Sequence, residues 1–169
     1  MLFYMIFPAI ASGCAVVMDF QRTKVDNGWL LFCLMLSLIV QLMEKGTSGF
    51  ITWSCGACIP FLILGWLFLF RMLGAGDIKL FCVMGSVLGP GTILRCIAYS
   101  FLIGAVISAA LMISNGILCQ RIQYLFRYVS DFLKTGKRKP YGKSGMPLEN
   151  FHFTVPIFLS ALLYAGGVY

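Results

Sequence analysis

The feature that most constrains the fold of this chain is a succession of six apolar runs with almost no charge. They cover residues 2–18, 29–43, 50–70, 80–88, 93–118 and 151–169. A helix needs about 17–25 apolar residues to cross a bilayer, and its backbone groups must be paired within the segment. Only 11% of the residues are charged, against about 25% in soluble domains. The sequence therefore predicts an all-α integral membrane protein and excludes a soluble or disordered chain.

The distribution of basic residues predicts how many helices cross the membrane. The run at residues 80–88 is too short to span alone, but a helix that begins near Gly74 lengthens it. If this helix crosses, eleven of the thirteen Lys and Arg residues lie on one side, and only Lys45 and Arg95 lie on the other. Because basic loops stay in the cytoplasm, we predict a six-transmembrane-helix bundle with both termini outside. The length predicts one domain over residues 1–169.

The one long polar segment, residues 119–150, is predicted to lie in the cytoplasm on the membrane surface. Its first part, residues 119–134, places apolar side chains on a single helical face. They are Ile122, Leu125, Phe126, Val129, Phe132 and Leu133. Such an amphipathic helix lies among lipid headgroups, with the basic residues 137–139 beside anionic lipid. The predicted partner of these charges is the lipid bilayer, and no nucleic acid is expected.

Cysteine and histidine patterns give no reason to expect a bound metal. Almost all of the seven cysteines lie in or at the ends of apolar runs, where reduced cysteine acts as a small apolar residue. Cys55 and Cys58 form a single pair inside one run, a weak zinc signal without a second pair. His152 begins the sixth run with no acidic or cysteine partner at ligand spacing. Three acidic residues, Glu44, Asp131 and Glu149, are expected to be solvated.

Asp19 and Asp77 are the acidic residues whose predicted positions suggest chemistry. In the six-helix topology both lie at the cytoplasmic ends of membrane helices, at similar depth. Two carboxylates in one partly desolvated cleft tend to share a proton, so one can deprotonate water while the other polarises a peptide carbonyl. Gly74 and Gly76 would permit irregular backbone and the approach of a substrate strand. The same glycines are equally compatible with a helix cap and turn followed by a solvated Asp77.

The stretch Gly74-Ala75-Gly76-Asp77-Ile78-Lys79 resembles the GxGD signature, in its GxGDxK form, of the type IV prepilin peptidases. Asp19, followed by Val25-Asp26-Asn27, is similar to that family's first catalytic Asp and its Ile-Pro-Asn ending, although Asp26 stands where the family usually has proline. The resemblance implies that Asp19 and Asp77 are a catalytic dyad. It implies that Gly74 and Gly76 shape the backbone around Asp77, and that Lys79 tunes the carboxylates or contacts the substrate.

The resemblance also implies an activity and a substrate class. Members of this family cut the basic leader from prepilin-like or pseudopilin precursors at the cytoplasmic face, before a hydrophobic helix. Water is the nucleophile, so neither a metal nor an organic cofactor is expected. The chain lacks the inserted segment with paired CxxC motifs of the long members, so it resembles the short, peptidase-only form that serves type IV or Tad-type filaments. The implied location is the inner (plasma) membrane.

Three other functions are alternatives to this one, and one of them, a non-catalytic assembly protein, leaves the paired Asp19 and Asp77 unexplained. A presenilin-like protease, which cuts inside transmembrane helices, normally carries a Tyr-Asp pair, and Met18-Asp19 does not match it. A small transporter or channel could use Asp19 and Asp77 on an ion path. That function predicts more polar residues at mid-bilayer than the scattered Ser and Thr of these runs.

Overall fold

The computed structural model describes residues 2–22, 25–69, 73–114, 123, 130 and 152–169. Across these residues the secondary structure is helical and contains no strand, which confirms the all-α prediction. The helices are α1 (Leu2–Arg22), α2 (Asn27–Leu69), α3 (Ala75–Leu88), α4 (Pro90–Ser114) and α5 (Thr154–Ala165). The predicted surface helix at residues 119–134 and the basic loop after it lie outside the described residues, apart from residues 123 and 130.

Contacts divide the chain into two compact units. The main unit contains Met1–Gly104 and His152–Tyr169, and the second contains Ala105–Phe151. In the second unit the structure describes the last part of α4, an exposed apolar helix that includes Val106 and Ile113, and two single residues. The features described below lie in the main unit.

Three described helices, α1, α2 and α4, are long and apolar enough to cross a membrane. Their outward side chains are large and apolar, as expected for helices in lipid; Phe20, Phe32, Phe61 and Leu102 are more than half exposed. With 43 residues, α2 covers both the second and the third predicted helix. The prediction of apolar membrane helices is therefore supported, although six crossings remain a prediction.

The long helix α2 folds back on itself at Gly46. This residue has φ 58° and ψ −135°, in the left-handed region that glycine tolerates without cost. The indole Nε1 of Trp53 donates to Ser37 Oγ at 3.0 Å, whereas 16 residues of straight helix would separate them by about 24 Å. Gly49 also lies so close to the Gln41 carbonyl that a Cβ would not fit. The two halves, residues 27–45 and 47–69, are thus an antiparallel hairpin whose turn lies in the predicted segment 44–49.

Helix α3 is the buried centre of the main unit. Eight of its side chains or backbone positions are buried, among them Leu80, Phe81, Val83 and Met84, which have no exposed surface. It packs most extensively on α2 and also on α1. A short helix that is apolar on every side is expected where other helices surround it.

The close packing of α3 on α2 depends on two glycines that face each other. A Cβ added to Gly56 would collide with the Gly85 carbonyl oxygen, and one added to Gly85 would collide with that of Gly56. Small residues let helix backbones approach in this way inside membranes. The residues around Gly56 and Gly85 in the sequence give no sign of this crossing.

Polar groups at the end of α3 are paired by side chains from α2. Pro90 has no N–H, so the Ser86 carbonyl loses the partner it would have in a longer helix. The Gln41 amide donates to that carbonyl at 3.3 Å and to the Val87 carbonyl at 3.4 Å. Because Tyr4 OH donates to Glu44 Oε2 at 2.6 Å and lies 3.5 Å from Gln41 Oε1, the first turn of α1, the α2 turn and the end of α3 lie at one end of the main unit.

Helix α5 packs antiparallel to α1 and delivers its first residues to the opposite end. The Phe158 ring lies 3.2 Å from the position a Cβ would take on Gly13, while Thr154 lies against Asp19. At the other end of α5, the Ser160 hydroxyl contacts Tyr169 OH at 2.7 Å and donates to the Cys96 carbonyl at 3.0 Å. These contacts tie α5 to α4 and to the end of the chain.

Candidate active site

Asp19 is held at the end of α1 by two side chains from the beginning of α5. Its carboxylate oxygen Oδ2 accepts a hydrogen bond from Thr154 Oγ1 at 2.8 Å and lies 2.8 Å from His152 Nδ1. The side chain of Asp19 is 14% exposed and that of His152 is 20% exposed. The carboxylate is therefore mostly enclosed by protein, with a small part of its surface exposed.

Asp77 is brought to the same end of the main unit by α3. It lies in the first turn of this helix, within range of direct electrostatic interaction with both Asp19 and His152. Since α3 runs antiparallel to α1, the start of one helix meets the end of the other. The two acidic residues singled out in the sequence, 58 positions apart, are thus placed together by helix packing alone. Two carboxyl groups in this relation disfavour simultaneous ionisation.

Gly74 shapes the environment of Asp77 directly. Its backbone lies against the Asp77 carboxyl, and Asp77 occupies the helix position from which an acidic side chain can reach back toward the first N–H. A Cβ on Gly74 would lie 3.1 Å from Asp77 Oδ2, closer than most such contacts. Gly76 differs, because its added Cβ would meet Val25 at an ordinary 3.8 Å. Of these two glycines, Gly74 is therefore the one whose added Cβ would crowd the Asp77 carboxyl.

The hydrogen-bond partner of Lys79 is the first residue of α2 and not a carboxylate of the site. Its Nζ donates to Asn27 Oδ1 at 2.9 Å, and the side chain is exposed. The contact joins the first turn of α3 to the first residue of α2. The two residues belong to the two motifs noted in the sequence, and their hydrogen bond explains in part how those motifs meet.

Asp26 is the cap of α2. Its Oδ1 accepts a hydrogen bond from the Gly28 N–H at 3.0 Å, and its carbonyl accepts the first helical bond, from Leu30. Aspartate is among the best residues at this position. Asp26, which stands where the family usually has proline, therefore begins α2 with a side-chain hydrogen bond to the backbone.

His152 and Thr154 are the site residues that the sequence analysis missed. The search for partners of His152 considered local ligand spacing, whereas Asp19 lies 133 positions away. The predicted topology carried a usable signal, because it placed the start of the sixth helix on the same side as Asp19. Within the described parts of the chain, no three His, Cys, Asp or Glu side chains gather as metal ligands.

Comparison with known proteins gives one match. The model of the type IV leader peptidase family matches residues 5–109, a span that contains Asp19, Gly74, Gly76, Asp77 and Lys79 but not His152 or Thr154. Neither the curated proteins nor the solved structures contain a match to the chain. The family match covers more than half of the chain, and the chain belongs to the type IV leader peptidase family. Its family and its long apolar helices indicate a membrane-bound peptidase.

Proposed function

We propose that this type IV leader peptidase is an aspartyl endopeptidase that removes the basic leader from prepilin-like precursors of type IV or Tad-type filaments. The observation that carries the proposal is that Asp19 and Asp77 lie within range of direct electrostatic interaction. They come from separate helices, they interact at one end of the main unit, and both lie in the region that matches the family.

The proposed chemistry needs only the two carboxyl groups and water. The ionised carboxylate takes a proton from water as the water oxygen attacks the scissile carbonyl carbon. The protonated carboxyl hydrogen-bonds to the carbonyl oxygen and stabilises the negative charge that develops there. Collapse of the tetrahedral intermediate breaks the C–N bond, and a carboxyl group supplies the proton that the leaving amine needs.

The proposed location is the inner (plasma) membrane, with the site at the cytoplasmic face. Eleven of the thirteen basic residues favour this orientation. The substrate would carry its basic leader in the cytoplasm and its hydrophobic N-terminal helix in the bilayer. Its scissile bond would then lie at the depth of Asp19 and Asp77, at the boundary between the two.

The proposal is tested by cleavage of a prepilin-like precursor with purified enzyme in lipid vesicles. The wild-type enzyme should release the leader, and Asp19→Asn or Asp77→Asn should each abolish release while still accumulating in the membrane. Asp26→Asn is the matched control, because asparagine retains the capping oxygen, and it should keep most activity.

Mass spectrometry of the product locates the cut. A new N-terminus just before the apolar helix, with a free and unmethylated amine, is expected. A cut inside that helix would instead indicate a presenilin-like protease. Normal release by Asp77→Asn, or equal loss in all three variants, would contradict the dyad.

A further inference from the structure

We infer that His152 and Thr154 are positioning residues. They hold the Asp19 carboxylate in the orientation in which it can take a proton from the water that attacks the peptide carbonyl. The inference rests on the proposed function, since it assigns roles within the same reaction. Both contacts fall on Oδ2 of Asp19, and Oδ1 accepts no hydrogen bond from the described residues. Holding one oxygen with two partners fixes the carboxylate plane and leaves the other oxygen for the water.

The contact made by Thr154 is unusual for a threonine at the start of a helix. Hydroxyls there commonly bond to nearby backbone groups, but this one reaches across 135 positions to a carboxylate. Thr154 is fully buried, and a buried hydroxyl is costly without a partner. The hydroxyl and the Asp19 carboxylate therefore satisfy each other in a place with little access for competing water.

The ring of His152 is fixed from a second direction. It packs on Phe20 with the ring centroids 4.8 Å apart and the planes tilted by 35°. Phe20 follows Asp19 directly in α1, so the helix that carries the carboxylate also carries the surface that orients the imidazole. Among the described titratable groups, Asp19 and Asp77 face this ring.

Apolar contacts also dock α5 on α1, beside these polar contacts. Ala11 and Ala15 of α1 and Ile157 and Ala161 of α5 are buried in the same apolar core, and Phe158 packs on Gly13. A role limited to holding the two helices together would therefore be redundant. This redundancy allows a positioning role to be separated from a structural one.

The test compares two deletions of a buried hydroxyl on α5. Thr154→Val removes the hydroxyl that contacts Asp19 and keeps the side-chain shape, whereas Ser160→Ala removes a hydroxyl that contacts Cys96 and Tyr169. We expect Thr154→Val to lower kcat about tenfold or more, as when a hydrogen bond to a charged group is lost, with KM changed less than about twofold. Thr154→Ser should restore most of the rate, and Ser160→Ala should cleave at the wild-type rate.

A second pair of variants applies the same test to the imidazole. His152→Asn retains an N–H near the position of Nδ1 and should keep most of kcat, while His152→Leu should lose about tenfold or more. These variants answer the question even if Thr154→Val does not fold. Melting temperatures are measured for every variant.

The outcomes separate this inference from the proposed function. If Thr154→Val and His152→Leu cleave normally while Asp19→Asn and Asp77→Asn are inactive, the positioning role is wrong and the peptidase stands. If the loss in kcat follows the loss in melting temperature, with no rescue by Thr154→Ser or His152→Asn, the role is structural. If the wild-type enzyme cleaves no prepilin-like precursor, the proposed function fails and this inference fails with it.

Discussion

At the scale of single residues, the two acidic residues of the site were easier to predict than the side chains that hold one of them in place. Asp19 and Asp77 stand out because acidic residues are rare in apolar runs, and charge counting placed both on one side. Their partners His152 and Thr154 are ordinary residues that act only through a contact across the fold. The spacing of residues along the sequence gives no sign of a contact between residues so far apart. Lys79 donates a hydrogen bond to Asn27. That it tunes the carboxylates or contacts the substrate stays a prediction.

Asp26 offers a prediction about stability at this scale. Asp26→Ala removes the oxygen that accepts the Gly28 N–H, and loss of such a cap costs about 0.5–2 kcal/mol. Asp26→Asn should cost much less because the amide oxygen can replace the carboxylate. Unfolding of detergent-solubilised variants measures both. Equal destabilisation by the two substitutions would show that charge, and not capping, is what Asp26 contributes.

At the scale of helices, local patterns predicted where elements lie but not how they touch. The turn expected at residues 44–49 is present, with its reversal at Gly46. The helix expected to begin near Gly74 begins at Ala75, with Gly74 as the extended residue just before it. The crossing at Gly56 and Gly85 was not predicted, since each glycine lies in an apolar run with no sign of its partner.

The crossing of α2 and α3 predicts that the same substitution has different effects on stability at two glycines of α2. Gly56→Ala places a Cβ against the Gly85 carbonyl, a backbone atom that cannot move aside easily. Overpacking of this kind costs about 1–3 kcal/mol or more. Gly65→Ala is the matched control, because no atom lies within 4 Å of the added Cβ and alanine is the better helix former.

Thermal unfolding of both variants in the same detergent tests whether the close approach of α2 and α3 stabilises the protein. Gly56→Ala should melt at a lower temperature than the wild type, and cleavage should fall with it because α3 carries Asp77. Gly65→Ala should melt at the wild-type temperature or slightly above. If both variants melt alike, the close backbone approach is not a source of stability.

At the scale of the whole molecule, the arrangement of the main unit bears on how often the chain crosses the membrane. Helix α3 has 14 residues, about 21 Å of helix, shorter than a typical hydrocarbon core of about 30 Å. It nevertheless runs from the end that holds Asp19 to the end where Gln41 meets Tyr4. Since α1 runs between the same two ends, α3 lies alongside a helix that is long enough to cross.

The topology can be tested by tags at the two ends of the chain and in the basic loop. If α3 crosses, both termini lie outside and a tag between residues 134 and 143 lies in the cytoplasm. If α3 does not cross, the two termini lie on opposite sides and the loop moves outside. Protease treatment of right-side-out vesicles should therefore remove the tags before residue 1 and after Tyr169 and leave the loop tag intact, with the reverse pattern in inverted vesicles. Termini on opposite sides would contradict the six-helix topology, because the seven basic residues of the segment at 119–150 would then face outside.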